Sequence, residues 1–162
     1  MEEIMQARLN AYAAAPGAYK AVVGVETYIQ NCGLEKSLIE LVKMRASQIN
    51  GCAYCLDMHS KDARRNGETE QRLYLLNAWK ESPVYSPRER AALAWTEALT
   101  LVAETHAPDD VYGEVRAQFK DDELANLTVL IGLINLWNRI AIGFRNVHPV
   151  GDGAEVPKAK RA

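Results

Sequence analysis

The amino-acid sequence predicts an all-α domain, and three observations carry that expectation. No segment sustains the period-two alternation of a half-buried strand. Apolar residues recur instead at three- and four-residue intervals, the rhythm of a helix with one buried face. Helix-breaking pairs punctuate those stretches, namely Pro16-Gly17, Asn50-Gly51 and Asn66-Gly67.

Taken in order, residues 2–14 are rich in Ala, Leu, Met and Gln, good helix formers, and end at Pro16-Gly17. A second amphipathic stretch runs to Gln30 and closes at Asn31-Cys32-Gly33. The third helix spans Glu35 to Ile49 and stops at Asn50-Gly51. A fourth covers residues 52–66 and a fifth Thr69 to Lys80. Ser86-Pro87-Arg88-Glu89 is the clearest start, with a capping serine, proline in the first turn and glutamate three after the cap. That sixth helix is expected to reach Glu104, a seventh to follow Pro108-Asp109-Asp110 to Phe119, and an eighth, capped by Asp121, to end at Gly143.

The 162 residues suffice for one domain with a real core, placed at 1–147, followed by a loose Pro/Gly-rich tail at 148–162. A formal net charge of −2 provides no field to attract nucleic acid or an anionic membrane, and the basic end KAKRA is too short to reverse it. The most apolar run, LTVLIGLINLW at 127–137, meets Asn138 and Arg139, and is shorter than the ~20 residues of a membrane span. A buried helix is expected there. The acidic start MEEIMQARLN lacks the order of a secretory signal, and three cysteines do not make a disulfide scaffold. The expectation is a cytoplasmic protein, where a C-x-x-C pair is metal-binding or redox-active.

That pair lies in GCAYCLDMHS, residues 51–60. Gly51 ends one helix, Cys52 falls near the next N-cap and Cys55 in the first turn. Positions 52, 55, 56, 59 and 63 follow the spacing of one helical face, so Cys52, Cys55, Leu56, His59 and Ala63 should point inward together. A helix N-terminus favours a thiolate. His59, one turn after Cys55, could exchange a proton with its sulfur. Two cysteines at this spacing can also close a disulfide.

Other readings compete. Zinc wants four ligands, or three and water; Cys52, Cys55 and His59 supply three, and no second Cys/His cluster exists. Covalent haem needs histidine where Leu56 stands, and a thioredoxin fold needs a strand where residues 34–50 are helical in pattern. Two buried structural cysteines beside a core histidine remain a further reading. If the third and fourth helices fold back around Gly51, Glu40 comes within about a turn of His59 and could orient or deprotonate it. Against this, Lys36, Glu40, Lys43 and Ser47 form a polar stripe that a Lys36–Glu40 surface pair would explain.

The run ELVKMRASQINGCAYCLDMHSKDARRNG, residues 40–67, closely resembles the core motif of the alkylhydroperoxidase AhpD-like proteins, within the carboxymuconolactone decarboxylase superfamily. The flanking helices agree more loosely to about residue 147. The resemblance implies an all-α fold with an active-site helical hairpin, assembled as trimers or hexamers, and a thiol peroxidase or disulfide reductase needing neither cofactor nor metal. It makes Cys55 the peroxide-attacking thiol, Cys52 the resolving thiol, and Glu40 with His59 the proton relay. It implies a peroxide substrate and a dithiol donor, whether a lipoyl protein, a thioredoxin-like protein or a peroxiredoxin. Where well-known AhpD enzymes carry a second histidine between the cysteines, Tyr54 stands here, a poor base with a reference pKa of ~10. The decarboxylase branch generally lacks the C-x-x-C pair, which argues against lactone decarboxylation. A redox adaptor serving a peroxiredoxin, or a non-catalytic zinc-binding module, are the alternative functions.

Cys32, His106 and His148 carry no chemical signal, and Trp79, Trp95 and Trp137 read as core or interface anchors. Asn135 and Arg139, if buried on the apolar eighth helix, should bridge to a neighbouring helix or subunit, away from the active site.

Overall fold

The computed structural model describes residues 5–151; residues 1–4 and most of the tail expected at 148–162 lie outside the described residues. Within them there are helices and no strands. In chain order these are α1 (Ala11–Ala14), α2 (Pro16–Gln30), α3 (Lys36–Asn50), α4 (Ala53–Arg65), α5 (Glu70–Leu75), a 3₁₀ turn at Leu76–Ala78, α6 (Pro87–Thr100), α7 (Val102–Thr105), α8 (Asp109–Gln118) and α9 (Asp121–Gly143).

The expected boundaries of the second, third, fourth, seventh and last helices hold to within a residue or so. Ser86 and Glu89 form the reciprocal capping box at the start of α6, with Pro87 in its first turn. Four expectations need correction. The fifth helix, expected to run to Lys80, ends at Leu75 and passes into the 3₁₀ turn at Leu76–Ala78. Residues 5–10 are not helical, because the main-chain N–H of Arg8 donates to the carbonyl of Phe144 at 2.8 Å and the Arg8 guanidinium to Gly143 at 3.1 Å. Docking on the end of α9 overrides local propensity there, and Asn10 caps the short helix that follows. The sixth helix breaks at Leu101 into α6 and α7. At α9, Glu123 rather than Asp121 reaches back, accepting from the Lys120 N–H at 2.9 Å.

Helix α3 sits at the centre, packed against α4, α6 and α9. Its Leu38, Ile39 and Val42 join a core with Ile29, Leu127 and Ile131, while Leu41 and Met44 join a second with Leu76 and Leu93. Each such Leu or Ile contributes ~1.5–3 kcal/mol when fully buried. Helix α9 is long and apolar enough to cross a membrane by length and composition alone, yet here it packs on α2, α3 and α6 as a core helix.

Because α3 is enclosed, its polar stripe is enclosed too. Glu40, Lys43 and Ser47 are 6%, 2% and 0% exposed, which overturns the surface reading of that stripe. Lys36 does not pair with Glu40; its ammonium donates to the carbonyl and side chain of Gln30. Glu40, Lys43 and Ser47 each find a partner on a different helix: His59 on α4, Glu26 on α2 and Asn138 on α9. Among the described residues no buried side-chain nitrogen or oxygen lacks a hydrogen bond.

Candidate active site

The α3–α4 hairpin turns on Gly51, whose φ of 67° is a left-handed helix cap that glycine adopts without strain. The turn delivers Cys52 as the N-cap of α4, with its Sγ accepting the Cys55 main-chain N–H at 3.4 Å. A cysteine therefore fills the role usually taken by serine or aspartate. Cys55, His59 and Ala63 follow on the buried face of α4, the arrangement expected from their spacing.

The two sulfurs are 1% and 2% exposed at the residue level and hydrogen-bonded to each other. The hydrogen bond from the Cys55 thiol, opposed by burial and helped by the Cys55 N–H and Asn138, pulls Cys52 down from 9.0 to about 7. Cys55 moves the opposite way, because its proton is held by Cys52, burial disfavours its charge and a Cys52 thiolate repels it. Of the two, Cys52 is the thiol that ionises more readily.

The sequence reading missed the groups that support a thiolate here. Asn138 donates to Ser47 Oγ at 3.0 Å and favours charge on both sulfurs, while its side-chain carbonyl accepts from Asn50 at 2.9 Å. Ser47 in turn favours charge on Cys55. The only signal for Asn138 was an asparagine set in the apolar run of α9, which demands a partner once buried. Asn135, three residues earlier, does bridge helices, bonding Asn50 at 2.9 Å and Thr100 at 3.1 Å; among the described residues Arg139 bonds only back to Asn135.

Cys55, but not Cys52, lines a cavity of about 290 Å³ between α2, α3, α4 and α9. His59 and Glu40 lie in the same wall, with His59 Nδ1 3.0 Å from Glu40 Oε2. With Nδ1 engaged, Nε2 makes no hydrogen bond within the described residues, and His59 borders the cavity. His59 is not among the hydrogen-bond partners of the Cys55 sulfur. The two groups face a shared space instead, where a bound molecule or a water can connect them.

Tyr54 packs against both cysteines and Ala141 and also borders the cavity. Trp137, expected as an anchor, borders it as well, its Nε1–H donating to Glu26 Oε2 at 3.3 Å. Trp79 and Trp95 are core residues at 4% and 7% exposure. Cys32 is half-buried against the core, far in sequence from the pair, and His106 is exposed. Glu40, His59 and Asp62 bring one ligand atom each within 4.8 Å of one another, a set whose oxygen and nitrogen donors could take a divalent cation.

An all-α domain whose central hairpin presents a cysteine pair to a cavity bordered by a glutamate–histidine couple is the class of protein defined so far. The model of the carboxymuconolactone decarboxylase family matches residues 16–98, and the chain belongs to that family, among its AhpD-like members. Uncharacterized protein YdfG of Bacillus subtilis is 43% identical over 142 residues, spanning 88% of this chain and 97% of its own. The crystal structure of ATU0492 from Agrobacterium tumefaciens, a protein of unknown function and candidate antioxidant defence protein AhpD, superposes with a TM-score of 0.88. It is 53% identical and covers 90% of this chain and all of its own. A shorter match, 42% over 45 residues, is to alkyl hydroperoxide reductase AhpD of Hyphomonas neptunium, covering 28% of this chain and 25% of that one.

Proposed function

We propose that the protein is a thiol peroxidase of antioxidant defence, reducing hydroperoxides with Cys55 and Cys52. One observation carries this reading: Cys55 opens on a cavity shared with the His59–Glu40 couple, and Cys52, one helical turn away, lies against it.

In this mechanism Cys55 passes its proton to Cys52 as its Sγ attacks the distal peroxide oxygen. The O–O bond breaks, and the alcohol leaves with a proton supplied through His59, whose imidazolium Glu40 steadies. Cys52 then attacks the sulfenic sulfur of Cys55, and its proton departs with the displaced hydroxide as water. In total two thiols and one hydroperoxide become one disulfide, one alcohol and one water. An external dithiol, on a lipoyl protein, a thioredoxin-like protein or a peroxiredoxin, restores the pair, as the reducing cytoplasm would allow. Exposed Val23, Tyr28, Val129 and Leu136 on α2 and α9 support self-association, as a homotrimer or homohexamer.

The test is a single turnover with cumene hydroperoxide. Reduced protein should consume one equivalent and lose two thiols, and Cys55→Ser should consume none. Normal consumption by Cys55→Ser would overturn the assignment. A second reading, a redox adaptor with little direct peroxidase activity, draws on Tyr54, which packs on the pair where a base would assist. Faster reduction of a disulfide protein than of free peroxide would favour it.

A further inference from the structure

The cavity holds more charge than the relay needs. Its lining carries three carboxylates, Glu26, Glu40 and Asp62, against one ammonium, Lys43. With His59 neutral the net charge is −2, and with His59 protonated it is −1. Lys43 is paired with Glu26, with side chains 3% and 26% exposed, so the two cancel and the net charge rests on Glu40 and Asp62. Glu26 also accepts from Gln30 at the same oxygen and from Trp137 at the other, and is held below the usual carboxylate range, despite burial, by its bonds to Lys43, Gln30 and Trp137. Asp62 has an outer partner, Arg65, at 2.8 Å, but that side chain is 75% exposed and does not border the cavity. Met58, Trp137, Ile140 and Ala141 supply an apolar part of the wall, beside the polar but uncharged Gln30 and Asn146.

Resting on the peroxide reading, we infer that this cavity selects uncharged, apolar-bodied oxidants and excludes anionic ones, with Asp62 as the residue that sets the preference. A carboxylate-bearing hydroperoxide entering beside Cys55 meets fixed negative charge at close range, where like charges repel. A neutral alkyl or aryl hydroperoxide meets the apolar wall and keeps only its O–O–H group near His59. Volume alone does not impose this choice, since neutral and anionic forms of one skeleton have nearly the same size.

Two alkylating agents of similar size read the charge around Cys55 without any peroxide chemistry. Reduced Cys32→Ser protein is treated with neutral iodoacetamide or anionic iodoacetate, and tandem mass spectrometry assigns the Cys55 adduct. The rate ratio cancels the thiolate fraction, and a free cysteine peptide supplies the reference. The protein should favour iodoacetamide by about 10-fold more than the peptide does. Asp62→Asn, at a partly exposed position, should bring the ratio toward the peptide's. A ratio equal to the peptide's, or one that Asp62→Asn leaves unchanged, overturns the inference. Discrimination between alkylators without oxidation by cumene hydroperoxide would leave the charge preference standing and remove the peroxidase reading. Where peroxide is reduced, cumene hydroperoxide should outpace its ring-carboxylated analogue by a similar factor, and Asp62→Asn should narrow the gap.

Discussion

Glu40 on α3 and His59 on α4 meet at 3.0 Å across the hairpin, nineteen residues apart in sequence and both nearly sealed from solvent. Glu40 fixes the imidazole with Nδ1–H toward itself, so Nε2 is the nitrogen left without a partner among the described residues. Removing either partner should therefore slow proton delivery rather than block substrate entry. His59→Ala should lower the peroxide step by roughly 10²–10⁴-fold, the range of positioned acid–base groups, and Glu40→Gln by less. Stopped-flow thiol loss measures both, and an unchanged rate in His59→Ala would remove the relay.

The Cys52–Cys55 pair predicts a pH signature in stability. Cys52 sits at about 7 in the folded protein against 9.0 for a free thiol, so the unfolded chain binds more protons between those values. Its contribution is full above about pH 9 and is lost as pH falls through 7. Cys55 is shifted upward, so its own contribution is present below the unfolded value and is lost at higher pH. Reduced protein should gain stability from pH 7 to 9 and lose it beyond. Thermal melts of reduced wild type against Cys52→Ser test this, since the variant should lack the rise.

Lys43 and Glu26 form a buried pair whose halves depend on each other. Lys43→Met should cost about 2 kcal/mol, below the ~3–5 kcal/mol of fully buried pairs because Glu26 retains some solvent. Adding Glu26→Gln should recover much of the loss. Urea denaturation of the single and double variants measures the coupling, and additive losses would mean the pair does not act as a unit.

Gly51→Ala isolates backbone conformation, because a Cβ there would meet no atom within 4 Å. The left-handed φ of 67° alone should cost about 1 kcal/mol. The same change should weaken the cap at Cys52 and raise the apparent pKa for alkylation of the pair.

What the sequence made legible was local. The caps at Ser86 and Gly51 and the inward face of α4 follow from spacing within one helix. The position of Glu40 needed only the assumption that two adjacent helices fold back on each other. The groups that were missed come from long range. Asn138 reaches the cysteines from a helix more than eighty residues onward, and Glu26 turns Lys43 from an apparent surface lysine into a buried one. The polar stripe of α3 was misread because its spacing is the same whether it faces water or three other helices. Residues 5–10 failed likewise, since Phe144 decides their conformation.

A sulfur that caps a helix ties two events usually studied apart. The Cys55 amide proton points at Cys52 Sγ, so its chemical shift and exchange rate gauge the electron density on that atom. Titration, oxidation or alkylation of Cys52 should each move this single resonance by a different amount. The first turn of α4 thereby broadcasts the redox state of the pair along the backbone, readable in a nitrogen-labelled sample without any added probe.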